Sequence, residues 1–461
     1  MIVSQATRVD VIDPILVDAF ERRLLGSLVR TTDADYDDSR AVVNLRFDGR
    51  PELIVKAADA ADVIRSVEFA REHGLRLAVR SGGHGGHGYS SFDGSLVVNL
   101  SGMKSVSVEP EKRTAWVQAG ATTADLLEAA GPHGLAVSTG DTSSVGLGGL
   151  VTGGGIGWLV RKYGLTIDSL LSVEMVTADG RLVVASETQN PDLFWAVRGG
   201  GGNFGVVTAF EFQLQPVGMI FGGAVVLPPT PNVMRGFAEY GVQATDELTM
   251  IAMLMPTPPL PVVPVEAHGK LAFIVMVCYT GNPEDGQRAI EPLRQLATPL
   301  AEMVGPMPYS ALYNLTQEGS HPHPAVVRSG FMNGLPNEAI EAILGHYRNS
   351  TGPVGMTQFR PLGGAFSRIS NDATAFAHRD KSMFLTLINV GFGDETEQWV
   401  ADLWRQLSPM TTGAYVNFLE VEGEDRIREA YPSETYARLA EVKRRYDPEN
   451  VFNLNQNIKP A

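Results

Sequence analysis

The chain has 461 residues, too many for one ordinary core and enough for two or three lobes. Its 37 Lys and Arg stand against 52 Asp and Glu, a formal net charge of −15, which repels phosphate backbones and anionic lipid surfaces and argues against nucleic acid or a membrane as partner. A composition 44% hydrophobic and 19% charged suits a packed core, while the single cysteine, Cys278, permits neither an internal disulfide nor a thiolate zinc site.

Met1–Arg23 alternates acids with short apolar pieces and has no continuous apolar core, so it reads as neither signal peptide nor anchor and points to a cytoplasmic enzyme. From Arg50 to Val98 the pattern predicts a small α/β unit: extended chain at Glu52–Val55, a helix over Asp59–His73 with an apolar face at Val63, Val67 and Ala70, then extended chain at Arg76–Val79. Short strands follow at Ser95–Asn99, Ser105–Glu109 and Thr114–Gln118. Thr122–Ala130 reads as a helix capped by Thr122 or Thr123 with Asp125 in its first turn, and Leu135–Val137 resumes extended chain. Ile167–Ala185 reads as two strands joined by the turn Ala178-Asp179-Gly180, Pro191–Val197 as a helical piece and Val206–Leu214 as a strand.

Pro and Gly punctuate residues 216–231, and prolines crowd Met255–Pro264, which sets a domain boundary near residue 215. Beyond it, helices at Asn232–Ala244, Pro283–Leu296, Asn337–Arg348 and Glu395–Leu407 alternate with strands at Leu248–Leu254, Leu271–Tyr279, Gly355–Pro361, Met383–Gly391 and Gly413–Leu419. That order suits an antiparallel sheet covered by helices on one side. Glu434–Tyr446 reads as a basic amphipathic helix ended by Asp447-Pro448, with Asn450–Asn457 extended; the run Glu422–Glu429 reads as a solvated face.

Glycine is in excess: 49 residues, against a usual share of about 7%, gathered in three clusters. The first, Arg80-Ser81-Gly82-Gly83-His84-Gly85-Gly86-His87-Gly88, follows a strand, and successive amides without Cβ atoms can form a nest for a diphosphate. A histidine held in such a turn is costly unless its imidazole reacts, titrates or binds something. Metal is the rival reading, but only Asp93 lies near in sequence, and no metal site is expected. The second cluster runs from Gly140 through Thr142, Val145, Gly148 and Gly149 to Gly153, Gly154 and Gly157, without the Lys-Ser or Lys-Thr of a nucleotide-triphosphate loop. The third contains a GxGxxG match at Gly200, Gly202 and Gly205, but the β-branched Val206-Val207-Thr208 that follows opens no helix, so a nicotinamide-dinucleotide fold is not expected. Three clusters at strand edges imply one long ligand approached by bare backbone from several sides, and a dinucleotide fits.

Arg80-Ser81-Gly82-Gly83-His84, Gly148-Gly149 with Gly153-Gly154-Gly155-Ile156-Gly157, Asn190-Pro191-Asp192-Leu193-Phe194-Trp195 through Gly201, and Tyr446-Asp447-Pro448-Glu449-Asn450 with Leu454-Asn455-Gln456-Asn457 together resemble the berberine bridge enzyme-like FAD-linked oxidases. The resemblance implies an α+β, two-lobed FAD-binding fold of the p-cresol methylhydroxylase and vanillyl-alcohol oxidase type. It places an FAD domain at 1–215 with its core from about 45, a substrate domain at 216–420 with a helix-covered antiparallel sheet, and a segment 421–461 returning to the FAD domain. It implies FAD joined through its 8α-methyl to His84, with His87 as the alternative to it, and cofactor contacts from Arg80, Ser81, Gly82, Gly83, Gly85, His87, Gly88, Gly140, Thr142, Val145, Gly148, Gly149, Gly153, Gly154, Gly157, Gly205, Val207, Asn455 and Asn457. Thr142 occupies the position where some relatives carry a second, cysteinyl link to flavin C6, so only one link is expected. Val145 stands where a valine goes with oxidase behaviour, which implies dioxygen as acceptor and hydrogen peroxide as product.

The general base is open. Relatives often carry a tyrosine at the position of Phe418 or a glutamate at that of Leu385, both apolar here. Tyr415, Asn417, Asn389 and Glu420 are the candidates, Tyr415 first, and a secondary amine substrate could dispense with a strong base. Arg368 and Phe376-Ala377-His378-Arg379 resemble a stretch bordering the family's substrate cleft. The resemblance implies a small alcohol, sugar, phenolic or amine substrate. A dehydrogenase with another acceptor, or a flavin-loaded protein without turnover, is the alternative.

Overall fold

The computed structural model describes residues 12–259, 262–350, 352 and 354–461; the reading of the first eleven residues lies outside them. The α/β unit forms where the periodicity put it. Leu53–Lys56 and Leu77–Arg80 both pair in parallel with Leu96–Asn99, and the helix Ala60–Glu72 crosses between them, capped by the Asp59 carboxylate and burying Val63, Val67 and Ala70. Ser27–Arg30 adds an antiparallel edge to make four strands.

A five-stranded antiparallel sheet follows in the order Val106–Glu109, Thr114–Gln118, Val206–Gln213, Leu170–Val176, Leu182–Ser186, the last two joined through the expected turn with Gly180 at positive φ. The helix Thr123–Ala130 has a reciprocal cap between Thr122 and Asp125. The two sheets and the C-terminal helices share one apolar core.

From Met219 the chain builds a seven-stranded antiparallel sheet: Ala301–Pro308, Met219–Leu227, Leu271–Tyr279, Leu248–Pro256, Met356–Pro361, Met383–Val390, Ala325–Met332. Helices Pro231–Gln243, Asn337–Asn349 and Asp394–Leu407 pack on one face, over Leu254, Phe359, Leu385 and Leu387. The opposite face carries Phe384, which packs on both Phe331 and Tyr415, together with Arg360, which sits opposite Phe384 in register. Alternation on a half-polar sheet thus sends one set of side chains to the helices and the other to the glycine clusters.

Several local expectations are corrected. The expected helix Pro283–Leu296 is two, Pro283–Ala289 and Glu291–Leu296, because Pro292 has no amide to continue the first. The expected strand Gly413–Leu419 is irregular chain around a 3₁₀ turn at Val416–Phe418. Asn450–Asn457 forms no strand, and Leu147–Gly153, inside the second glycine cluster, is helical. Glu422 is not on a solvated face: its side chain is 5% exposed between Arg328 and Arg426. No helix of the described residues is long and apolar enough to cross a membrane.

Candidate active site

A cavity of about 410 Å³ runs where the three glycine clusters, the Tyr415–Phe418 turn and the C-terminal tail meet. On its first wall, the amide N–H groups of Gly82, Gly83, His84, Gly85 and Gly86 donate to no acceptor among the described residues. Successive amides without Cβ atoms and without an acceptor form a concave row of donors, so this stretch can cradle an anionic ligand. The first and second clusters cross there with no room for side chains: a Cβ on Gly146 would fall on the Gly82 amide and the Ser81 hydroxyl. The Ser81 hydroxyl fastens the crossing, donating to Ala119 O at 2.7 Å and accepting from Gly148 N–H at 3.2 Å.

That crossing brings Ser144 Oγ to 3.0 Å from His84 Nε2. Burial, with the nearby His323 adding repulsion, lowers His84 to about 4, so its imidazole is neutral at neutral pH. His87 is lowered to about 4 by burial. It differs from His84 in that its Nδ1 accepts from Tyr89 N–H at 3.2 Å and its ring stacks on Tyr89.

Opposite the histidines, Tyr415 Oη accepts from Gly155 N–H and from Asn417 Nδ2, each at 2.8 Å, and Asn417 Nδ2 also donates to Leu150 O at 3.0 Å. Burial raises the Tyr415 phenol above its ordinary value, opposed by those two donors and by the charge of Arg360. Arg360 is held by Gln358 and by Asp141 at 2.6 Å, and Asp141 itself lines the cavity.

The tail forms the last wall. Asn455 Nδ2 donates to Gly202 O at 3.0 Å, while Asn203 Nδ2 donates to Gly200 O at 2.8 Å and to Gln456 O at 3.1 Å. Lys443 Nζ, fully buried, donates to Asn203 O, Asp447 and Phe452 O. The Oδ1 of Asn455 is buried without a partner. Five unpartnered amides suit a diphosphate, and the apolar stretch of Val145, Leu150, Ile156 and Phe418 suits a flat ring system; the residues present fit FAD.

Of the sequence-derived site residues, Ser81, Gly82, Gly83, His84, Gly85, His87, Gly140, Thr142, Val145, Gly148, Gly149, Gly205, Val207, Asn455, Tyr415 and Asn417 line the cavity. Others do not. Arg80 turns away to Ser39 O at 2.7 Å, under Gly83. Gly88 is bare because Phe47 packs on it, Gly153 because Asn417 does, Gly154 because Phe376 does, and Gly157 because Thr139 O does, so these four serve close packing. Asn457 lies beyond the wall with its Oδ1 buried and unpartnered. Asn389 points into the helix-covered side, its amide toward Thr396 O at 3.5 Å, and is corrected to a structural residue. The Glu420 carboxylate is taken by Val327 N–H at 2.9 Å and Arg328 at 2.8 Å. Arg368 pairs with Asp246 at the surface, while His378 and Arg379 are buried, the latter on Asp168. Sequence reasoning missed Asp141, Ser144, Asn203, Tyr431 and Gln456; the first three sit inside glycine clusters, where a polar residue could have been weighed as a fastener.

The fold and this cavity define a flavoprotein oxidoreductase. Residues 51–186 match the family model described as an FAD binding domain, and residues 414–459 the one described as berberine and berberine like. The chain is 32% identical over 457 residues to the (R)-6-hydroxynicotine oxidase of Paenarthrobacter nicotinovorans, covering 94% of this chain and 97% of that one. The solved 6-hydroxy-D-nicotine oxidase of Arthrobacter nicotinovorans superposes with a TM-score of 0.84 at 28% identity, over 95% and 98% of the two chains. The glucooligosaccharide oxidase of Acremonium strictum, described with a 6-S-cysteinyl, 8α-N1-histidyl FAD, superposes at 0.87 with 24% identity, over 96% and 99%. The chain belongs to the berberine bridge enzyme-like FAD-linked oxidases.

Proposed function

We infer that this oxidase removes a hydride from a carbon bearing an alcohol or amine, holds FAD through a single link to His84, and passes the electrons to dioxygen as hydrogen peroxide. The observation that carries this reading is one cavity lined at once by an unpartnered amide cradle, a neutral His84, and the Tyr415 hydroxyl backed by Gly155 and Asn417. Bound flavin supplies the two-electron acceptor. Tyr415 takes the substrate proton, and Asn417 orients the phenol while tying it to Leu150. Thr142 stands where a second link would need cysteine, and the only cysteine, Cys278, is buried elsewhere; a reducing, cytoplasmic setting suits it. The resemblance at Val145 supports dioxygen as acceptor, and the hydroxynicotine oxidase relative supports an amine among the substrate classes. The change of sheet between Gln213 and Met219 supports an FAD domain ending near 215, and the Asn203, Lys443 and Asn455 contacts support a segment 421–461 that returns to it.

Screening alcohols, sugars, phenolics and amines for anaerobic bleaching, then admitting air, tests the activity: rapid recolouring with stoichiometric peroxide is expected, and slow recolouring sinks the oxidase reading. Tyr415→Phe is expected to slow flavin reduction by about 10² or more. Because burial holds the phenol above its ordinary value, the neutral form prevails at neutral pH. The wild-type rate therefore climbs about tenfold per pH unit toward the tyrosine's ionisation, and the variant's profile loses that limb. His84→Ala is expected to release all flavin into the supernatant on acid precipitation; a pellet that stays yellow, with His87→Ala losing colour, would move the link.

A further inference from the structure

The polar contact on His84 reaches further than positioning. Its Nε2 meets Ser144 Oγ at 3.0 Å, whereas Nδ1 has no hydrogen-bond partner among the described residues, on a ring that lines the cavity. The ring is neutral, so a single proton sits on one nitrogen. Were it on Nδ1, the N–H would have no hydrogen-bond acceptor among the described residues, at the cost of an unmade donor. With the proton on Nε2, the N–H is satisfied by the serine oxygen and the Nδ1 lone pair is left free on a ring that lines the cavity. Ser144 is in place because Gly82 and Gly146 let the two loops cross at van der Waals distance.

We propose that Ser144 is the positioning residue for flavin attachment: it fixes the Nε2–H tautomer of His84 and thereby makes Nδ1 the nucleophile. The proposal rests on the reading that His84 carries the link. In the bond-forming step the Nδ1 lone pair joins the flavin 8α-carbon. That carbon loses one hydrogen as a proton, Nε2 loses the other, and both protons with the electron pair end on the flavin ring. Dioxygen then removes two electrons and two protons as hydrogen peroxide, leaving oxidised flavin on a neutral alkylimidazole. A hydroxyl suits both stages, since its oxygen accepts Nε2–H beforehand and its O–H donates to the bare Nε2 afterwards.

The test mixes apoprotein with FAD and follows flavin in the acid-precipitated pellet against time, for wild type, Ser144→Ala and Ser144→Thr, with total bound flavin measured before precipitation. Loss of one hydrogen bond predicts attachment about tenfold slower in Ser144→Ala, with total FAD binding retained and Ser144→Thr restoring the rate. Imidazole ¹⁵N shifts of the apoprotein supply a second measurement: wild-type His84 is expected protonated at Nε2, and Ser144→Ala is expected to shift the proton toward Nδ1. Equal attachment rates in wild type and Ser144→Ala overturn the role of Ser144 while leaving the link standing. A wild-type pellet without flavin overturns the link and the proposal with it, and a wild-type His84 protonated at Nδ1 overturns the tautomer assignment whatever the pellet shows.

Discussion

Gly146→Ala is expected to yield colourless protein. The residue has φ −70° and ψ 133°, which alanine adopts without strain, so the whole effect is steric. The added methyl would fall on the Gly82 amide nitrogen, the Ser81 hydroxyl and the Gly82 Cα, all fixed by the loop on the other side. Relief requires the two loops to part, which dismantles the amide cradle and carries Ser144 away from His84. Overpacking of this kind costs about 1–3 kcal/mol, and here the cost falls on the ligand-binding geometry. Visible absorbance after reconstitution with excess FAD, read beside the far-ultraviolet dichroism, is the check: an α+β spectrum without flavin bands is expected, and a yellow variant would show that the loops can separate without loss. Gly345→Ala is the control, since it lies in the helix Asn337–Asn349 away from the cavity and a Cβ there meets nothing within 4 Å.

Lys443→Met is expected to cost about 3–5 kcal/mol, the usual penalty for stranding one partner of a buried ion pair. Lys443 and Asp447 are both 0% exposed and 2.6 Å apart. The lysine also donates to Asn203 O and Phe452 O, while Asp447 accepts from Val451 N–H at 2.7 Å and Phe452 N–H at 2.9 Å. One cation therefore ties the third glycine cluster to the tail that covers the cavity. The variant should release flavin at a lower urea concentration than wild type in the noncovalent His84→Ala background. Adding Asp447→Asn, which removes the stranded charge and keeps an acceptor for one of the two amides, should recover part of the loss. A midpoint unchanged by Lys443→Met would mean the tail is held by its other contacts.

Legibility followed the range of the interaction that decides each element. The helix Ala60–Glu72 is written in a 3.6-residue apolar repeat and an Asp59 cap, the helix Thr123–Ala130 in a Thr–Asp cap, and the hairpin in Asp179-Gly180. All are settled within a few residues, and all formed as expected. The strands Met219–Leu227, Ala301–Pro308 and Ala325–Met332 are hard to read in the sequence because Gly222 and Gly223, Gly305 and Pro306, and Gly330 interrupt them in turn. Their partners in the sheet supply what local propensity withholds. Gly413–Leu419 shows the reverse: its apolar alternation resembles a strand, but Tyr415 and Asn417 are drawn to Gly155 and Leu150 across the cavity, and the chain turns instead of pairing.

By itself the sequence determined the glycine clusters, their histidines and the family they resemble, because a backbone that must pass close to another or bare its amides to a ligand needs glycine at fixed positions whatever surrounds it. Only the tertiary structure decided which glycines face the cavity and which merely make room for Phe47, Phe376 or Asn417, and it alone turned Asn389 toward Thr396, tied Glu420 to Arg328 and brought Ser144 to His84. Those choices depend on which atom lies within about 3 Å of another, and such distances arise from chain segments tens to hundreds of residues apart.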